Sequence, residues 1–267
     1  STVMNMEKQQ LNNLEQELQF FDPITLAEMD EVSLMNRTDT KFVFEIHLLP
    51  LILNDIQPHY KSLEINGSRF ANYKTDYFDT YDYNMFIAHQ NGKQNRYKVR
   101  YREYVGSNLS FLEVKFKNNK GKTLKSRIKS WVDYNDIDNN DMSFLTESIP
   151  YPVDQLKHVL TNEFSRITLV SKTDKERLTI DFSLQFEKEV NSKSLSNLVI
   201  AEVKQEKVDR SSKVMKALKK HGVRQASFSK YASGVALLNK KLKYNQFKSN
   251  MLYLNKIHKN HGVIWNR

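Results

Sequence analysis

Residues 96–104 read RYKVRYREY, with a basic side chain at every second position. A repeat of two is that of a β-strand, and it places Arg96, Lys98, Arg100 and Arg102 on one face with Tyr and Val on the other. Neighbouring like charges repel one another, so such a strand loses stability unless acids or a bound anion compensate. The segment therefore predicts a strand whose charged face meets an anion.

Five further segments repeat this alternation of charged and apolar residues. They contain Arg37-Asp39-Lys41, Glu113-Lys115-Lys117, Lys125-Arg127-Lys129, Arg177-Thr179-Asp181 and Glu202-Lys204. Turn-forming residues at 106–108 and 118–121 separate three of the strands, which is typical of antiparallel hairpins. About eight strands are predicted in all. They lie near 37–45, 69–79, 96–105, 109–117, 123–132, 164–171, 176–184 and 197–206.

Helices are predicted on both sides of these strands and in two insertions. Leu11, Leu14 and Leu18 recur at helical spacing, and Asp22-Pro23 interrupts that helix. A second short helix begins at Thr25, and further helices are predicted over 47–57, 153–164, 209–220 and 228–243. A helix or turn over 81–89 and an acidic loop over 133–147 complete the predicted elements. The sequence thus predicts an α+β domain over 1–240, with N-terminal helices, followed by a basic tail over 241–267.

Composition limits the class of protein and its partners. The 267 residues carry a net charge of +10, which favours an anionic partner: nucleic acid, a membrane surface, a nucleotide or polyphosphate. The chain has no cysteine, so disulfides and thiol chemistry are excluded, in keeping with a reducing compartment. No apolar run reaches the length of a membrane span and the N-terminus is polar. We therefore expect a cytoplasmic protein.

The polarity of the strands predicts a closed sheet. The apolar faces must pack under helices, and the charged faces must then meet water or a ligand. About eight antiparallel strands can close into a barrel whose interior holds one ligand. Arg binds phosphate oxygens in pairs and Lys acts as a point charge, so a cationic interior suits phosphate. The alternative is a flat sheet with a solvated basic face that binds nucleic acid.

The order and spacing of seven motifs resemble a known family. They are RTDTKFVF (37–44), YKVRYREY (97–104), LEVK (112–115), LKSR (124–127), RLTID (177–181), AEVK (201–204) and FSKYASG (228–234). From about residue 29 to 238, the chain resembles the bacterial VTC domain, the polyphosphate polymerase domain of the CYTH, or triphosphate tunnel metalloenzyme, superfamily. The resemblance implies an antiparallel β-barrel forming a basic tunnel that binds triphosphate or polyphosphate with Mg²⁺ or Mn²⁺.

The resemblance also implies roles for individual residues. Catalytic roles fall on Lys41, Arg100, Arg102, Lys115, Lys125, Arg177 and Lys230. Substrate-binding roles fall on Arg37, Lys98, Arg127, Lys204 and Ser229. Glu202 is implied as the ligand of Mn²⁺ or Mg²⁺.

One departure from the superfamily pattern affects function. Hydrolytic relatives carry Glu-x-Glu-x-Lys on the first strand, whereas Arg37 stands here in place of the first acid, ahead of Asp39 and Lys41. The resemblance thus favours a polymerase that moves the γ-phosphate of ATP onto a growing polyphosphate chain, with fewer metal ligands. Alternatives are a tripolyphosphate or nucleoside triphosphate hydrolase on the same fold, and a non-catalytic binder of polyphosphate or nucleotide. Specific nucleic-acid binding is not expected; a membrane-protein partner, reached through the basic tail, stays open.

Two acids and the histidines complete the candidate residues. Asp181 is interpreted as an ion-pair partner of Arg177 rather than a second metal ligand. Glu113 is either a further metal ligand or an ion-pair partner of Lys98 or Arg100. The seven histidines lie outside the charged strand faces and are predicted to be non-catalytic.

Overall fold

The computed structural model describes residues 2–31, 34 and 37–239. The helices are α1 (Thr2–Leu18), α2 (Leu26–Glu31), α3 (Leu49–Ile56), α4 (Asn84–Gln90), α5 (Asn139–Ser148), α6 (Lys213–Lys220) and α7 (Lys230–Leu238). The strands are β1 (Asp22–Ile24), β2 (Thr38–Glu45), β3 (Tyr60–Leu63), β4 (Ala71–Thr80), β5 (Arg96–Tyr104), β6 (Leu109–Lys117), β7 (Thr123–Lys129), β8 (Leu156–Ser171), β9 (Glu176–Lys188), β10 (Asn191–Leu195) and β11 (Leu198–Gln205).

Eight of these strands form one antiparallel path in the order β2-β11-β9-β8-β4-β5-β6-β7. The eight strands predicted from the sequence all lie on this path. Three short strands, β1, β3 and β10, attach at its side and were not predicted. The fold is therefore α+β, an antiparallel sheet with flanking helices, as expected.

Closure of the sheet by hydrogen bonds is not seen. Within the described residues, β2 and β7 end the path and no ladder joins them. The segment before α7 instead follows the outer edge of β2, where the amide of Ala226 donates to the carbonyl of Lys41 at 2.9 Å and Gln225 bridges Phe42. A hydrogen-bonded barrel stays a prediction.

The outer face of the sheet carries most of the core. On β2 and β11, alternate apolar residues such as Phe44, Val199 and Val203 are buried in one cluster with residues of α1, α3 and α6. On β5 and β6, Tyr101 and Leu112 belong to a second cluster with α5. This burial of one strand face leaves the opposite, charged face to the interior of the curved sheet.

Two predicted elements differ from the structure. The helix predicted over 153–164 is a short 3-10 turn followed by β8, because pairing with β4 and β9 on both sides outweighs the local helical spacing. The loop predicted over 133–147 contains α5, whose first turn is capped by the side chain of Asp138 accepting from the amide of Asp141. Leu145 anchors α5 because it is fully buried.

The predicted domain is described as far as residue 239, and the predicted tail over 241–267 lies outside the described residues. No helix in the described part of the chain combines the length and apolarity needed to span a membrane.

Candidate functional site

Three neighbouring strands bring six of the predicted basic residues onto one wall. Register places the alternating charges of β5, β6 and β7 side by side: Lys98 pairs with Lys115 and Lys115 with Lys125, while Arg100 pairs with Glu113. The same face carries Arg102 and Arg127. We call this charged side of the sheet, over all eight main strands, the inner face.

A second wall consists of β2, β11 and β9. Lys41 lies opposite Glu202 across the β2–β11 ladder. Lys204 lies between Asp39 on β2 and Arg177 on β9. The spacing of two therefore places each predicted side chain of these strands on the inner face, as expected.

The two walls face each other, although their strands are not hydrogen-bonded neighbours. Lys98 on β5 donates to the hydroxyl of Ser229, just before α7, at 3.3 Å. The Lys41 ammonium on β2 donates to the carbonyl of Phe228 at 3.4 Å. Burial, then Lys41 and Arg100, lower the pKa of Lys115 to about 7. Since β6 and β2 lie far apart along the path, only a strongly curved sheet brings these cations together.

The cations of this site are poorly compensated by protein acids. Burial, followed by the charges of Lys115 and Lys41, holds the pKa of Lys98 well below its usual value. Burial and the neighbouring Arg100 lower the pKa of Arg102 to about 10. Several buried positive charges in one place raise the free energy of the empty site, and a polyanion that binds them removes this cost.

One predicted ion pair is confirmed on the first wall. The guanidinium of Arg100 donates from Nε to Glu113 Oε1 at 2.9 Å, and both side chains are buried. Burial would raise the pKa of Glu113, but Arg100 and Arg102 hold it below its usual value. Arg102 has a neutral partner, since its Nε donates to the hydroxyl of Thr75 at 3.1 Å.

The predicted partner of Asp181 is wrong. Asp181 accepts from Arg166 Nε at 2.7 Å and Nη2 at 3.1 Å, and from Lys230 Nζ at 2.6 Å. Arg177 lies at the end of β9, where it donates to the carbonyl of Met29 at 3.4 Å. Burial would raise the pKa of Asp181, but Lys230 and Arg166 hold it well below its usual range. Asp181 therefore fixes two inner-face cations.

Arg166 is an inner-face residue that was not predicted from the sequence. It lies in β8, which was predicted only from residue 164, and register places it beside Asp181. Its guanidinium also stacks near the rings of Tyr73 and Phe164, at 5.1 and 5.6 Å from their centroids. Arg166 is the single charged residue of the predicted strand over 164–171, and this was the available signal.

His89 is a second residue near the site that the sequence did not indicate. It lies on α4, with its Nδ1 3.3 Å from Arg96 Nη1. Burial, then Lys98 and Arg96, lower the pKa of His89 to about 3. The ring is therefore neutral at physiological pH.

The predicted residues at the periphery of the site are Arg37, Arg127, Arg177 and Lys204. Arg37 forms a half-exposed pair with Asp39 at 3.6 Å. Arg127, on the exposed edge strand β7, lies over the ring of Phe111 at 4.1 Å. Arg37, Arg177 and Lys204 mark one end of the inner face.

The other end of the inner face is filled by α7. Ser229 caps this helix by accepting from the amide of Ala232 at 3.2 Å. Tyr231 donates to the buried carboxylate of Asp79 at 2.6 Å. Residues of α7, with Val43 and Ile200 of the inner face, form a buried apolar cluster. The cationic part of the inner face therefore begins at Ser229 and Lys230 and opens toward Arg37.

The residues present fit a divalent cation bound together with phosphate. Asp39 on β2 and Glu202 on β11 are diagonal neighbours across one ladder, and Lys204 lies 3.5 Å from the Glu202 carboxylate. Burial and Glu202 raise the pKa of Asp39. Among the described residues no group of three or more acidic or histidine side chains could hold a metal. Mg²⁺ commonly takes one or two carboxylates and completes its shell with water and substrate phosphates. Glu202 and Asp39 would hold the ion, which would neutralise phosphate charge.

The chain matches one protein family and is similar to several solved structures. The VTC domain family model matches residues 36–239. A search of curated proteins found no match. Among solved structures, a candidate adenylate cyclase from Bacillus halodurans is 15% identical, with 74% of this chain and 98% of that chain covered and a TM-score of 0.47.

Two other solved structures are similar to this chain. The Hippeastrum protein HpAC1, described as having a dominant triphosphatase activity, is 12% identical, with 79% and 99% of the two chains covered and a TM-score of 0.49. The PH1819 protein from Pyrococcus horikoshii is 12% identical, with 77% and 99% covered and a TM-score of 0.43. The family match spans most of the chain, and the protein therefore belongs to the VTC domain family.

Proposed function

We propose that this protein is a polyphosphate polymerase, which transfers the γ-phosphate of ATP onto the end of a growing polyphosphate chain with Mn²⁺ or Mg²⁺. The proposal rests on one observation: the inner face is a continuous cationic surface whose charges exceed its acids. Lys41 and Lys98 meet at the segment before α7, and Lys115 lies opposite Lys98 on the neighbouring strand. Such a surface binds a linear chain of phosphates better than a compact anion.

The chemistry of transfer fits these residues. Phosphoryl transfer requires neutralisation of phosphate charge and alignment of the reacting oxygens more than it requires covalent catalysis. Arg100 and Arg102 would hold the phosphates of ATP, and Lys230 would hold those of the acceptor chain. The acceptor is already an anion, so the transfer needs no general base. Glu202 would hold the metal against the transferred group.

Hydrolysis is the second candidate, and one observation favours it. The pKa of Asp39 is raised by burial and by Glu202, so this carboxyl group is a stronger base than an ordinary aspartate. In this alternative Asp39 is a base instead of a metal ligand, and a water molecule between it and a bound triphosphate would lose a proton to it on attack. The products would then be free phosphate and a shortened chain.

The deciding experiment supplies ATP with Mn²⁺ or Mg²⁺ and follows two products. Growing chains on a polyphosphate gel support the polymerase, whereas free phosphate without chains supports the hydrolase. Tight tripolyphosphate binding without either product identifies a non-catalytic binder. Arg102→Gln serves as the site control, because it removes an inner-face cation whose side chain donates to the neutral hydroxyl of Thr75.

Nucleic acid is tested in the same preparation. A nucleic-acid protein would bind duplex DNA or RNA with a steep salt dependence, and tripolyphosphate would compete poorly. We expect this protein instead to bind tripolyphosphate more tightly than duplex DNA or RNA.

A further inference from the structure

A row of cations continues from the inner face onto the outer surface. Lys204, on the inner face, is the next-to-last residue of β11. After it, a basic residue follows at every third position through the loop and α6. These residues are Lys207, Arg210, Lys213, Lys216 and Lys219, which we call the outer cation row.

The outer cation row is free to bind a ligand. All five side chains are exposed, and no ion pair among the described residues involves any of them. The nearby acids have other partners: Glu206 pairs with Lys175 at 3.3 Å, and Asp209 accepts from Ser211. From 207 to 224 the sequence holds seven Lys and Arg against one acid, Asp209.

The row is held in a fixed position. The amide side chain of Gln205 donates to the carbonyl of Asp209 and accepts from its amide, both at 3.1 Å. At the start of α6, the amide of Val214 donates to the hydroxyl of Tyr60 at 3.1 Å. Within α6, the spacing of three places successive lysines on neighbouring positions of one face, and the apolar face is buried against α3.

The outer cation row lies at the end of the inner face that α7 leaves open. The apolar cluster of α7 fills the inner face at the Ser229 end. A chain of phosphates longer than the inner face must therefore extend toward Arg37 and Lys204. The outer cation row begins three residues after Lys204, at this open end.

We propose that the outer cation row is a second binding site for linear polyphosphate, which holds the part of a long chain that extends beyond the inner face. This inference rests on the proposed function and deepens it: long chains are the preferred ligand, and the chain leaves at the Lys204 end. Exposed lysines in a line suit a flexible polyanion, because each contributes a point charge without requiring one fixed geometry.

The test compares a short and a long ligand. Tripolyphosphate reaches only the inner face, whereas a long-chain polyphosphate reaches both sites. The variant Arg210→Gln/Lys213→Gln/Lys216→Gln should bind tripolyphosphate within about twofold of wild type, but should bind the long chain at least about tenfold more weakly and with a shallower salt dependence. Circular dichroism and thermal unfolding confirm that the variant is folded.

The matched control removes the same charge at the other end of the sheet. Lys93→Gln/Lys120→Gln/Lys122→Gln replaces three exposed lysines in the turns beside Arg96 and Lys117. This control should keep the long-chain affinity. A loss in the control, with none in the outer-row variant, places the chain at the opposite end and overturns the inference.

Three further results would each overturn the inference. If wild type binds tripolyphosphate and the outer-row variant keeps the full long-chain affinity, the outer cation row is no polyphosphate site, while the proposed function stands. If wild type does not bind tripolyphosphate, both fail. If the outer-row variant instead loses only its binding to phosphatidylserine vesicles, the row docks on an acidic bilayer and the inference is overturned.

Discussion

Asp181 on β9 accepts a 2.6 Å hydrogen bond from Lys230, the first residue of α7. The same carboxylate accepts from both Nε and Nη2 of Arg166. One buried acid thus connects the wall of the sheet to the helix that fills its interior. This acid sets where two phosphate-binding cations lie before any ligand arrives.

Removal of this acid should destabilise the fold. In Asp181→Asn, two largely buried cations lose their shared partner, and we expect the free energy of unfolding to fall by about 3–5 kcal/mol in urea titration. Tripolyphosphate should raise the unfolding temperature of the variant more than that of wild type, because the anion replaces the missing charge. The exposed pair of Lys175 and Glu206 supplies the control: Glu206→Gln should cost no more than about 1 kcal/mol. Equal losses in the two variants would contradict this role.

Arg102→Gln should separate stability from binding. Arg102 is buried near Arg100, and its low pKa of about 10 reflects an unfavourable site for a cation. Its guanidinium lies 5.6 Å from the ring centroid of Tyr73 and 5.7 Å from that of Phe164. We expect its replacement to leave the unfolding free energy within about 1 kcal/mol of wild type, since the loss of these contacts and of the Thr75 hydrogen bond is offset by reduced repulsion. Calorimetric affinity for tripolyphosphate should fall about 10- to 100-fold. Unchanged affinity would remove Arg102 from the site.

Binding should depend on pH through Lys115. The pKa of Lys115 is about 7 in the empty protein, and a bound anion raises it because it favours the charged amine. The lysine is already charged below about pH 7, so its contribution to affinity is complete there. That contribution is lost as the pH rises above 7 toward the pKa of the complex.

Isothermal titration of tripolyphosphate at pH 6 to 9 measures this effect. Because the ligand also titrates, the informative quantity is the difference between wild type and Lys115→Arg, whose guanidinium stays charged. The affinity of wild type should fall relative to the variant above pH 7, and proton uptake on binding should be larger in wild type, because Lys98 takes up protons in both proteins. Parallel curves would show that Lys115 stays charged throughout.

Metal binding should depend on Glu202 more than on any basic residue. Paramagnetic resonance of Mn²⁺ in the presence of tripolyphosphate should show the bound ion in wild type and about tenfold weaker binding in Glu202→Gln. Asp39→Asn should weaken Mn²⁺ binding less than Glu202→Gln does, since burial and Glu202 already favour the protonated form of Asp39. Glu113→Gln is a suitable control because Glu113 lies on β6, on the opposite wall from Asp39 and Glu202. Full Mn²⁺ affinity in Glu202→Gln would exclude it as a ligand.

Packing of α7 should depend on the absence of a side chain at residue 234. A Cβ at Gly234 would lie 2.5 Å from both Leu160 Cδ2 and Phe186 Cδ1. Gly234→Ala is therefore expected to lower the free energy of unfolding by about 1–3 kcal/mol in urea titration, despite the better helix propensity of Ala. Ala236→Gly in the same helix should cost only about 1 kcal/mol, from helix propensity. A stabilised Gly234→Ala would show that α7 packs less closely.

Much of the fold follows from local pattern. The alternation around Arg100 and Lys115 gave the strands and their charged face, because a period of two is intrinsic to an extended backbone. The apolar spacing in α3 and α6 likewise predicted helices. The pattern failed over 153–164, where residues at helical spacing form a strand, because β4 and β9 pair with that segment from distant parts of the chain.

The ion pairs within the site were harder to predict from the sequence. That Glu113 pairs with Arg100 follows from hairpin register, which two adjacent strands and one turn define. That Asp181 pairs with Arg166 and Lys230 rather than with Arg177 depends on how β8 and α7 lie beside β9. Side chains remote along the chain can meet in many ways, and the alternation of charge does not choose among them.

The sequence by itself determined which residues are charged on which strand face, and therefore that an anion is the expected ligand. Only the tertiary structure decided how strongly the sheet curves, so that Lys41 and Lys98 approach the same residues before α7. It also decided that α7 fills one end and leaves the other open beside Lys204. The physical reason is that strand polarity is a local property of the backbone, whereas curvature and helix docking arise from packing between distant segments.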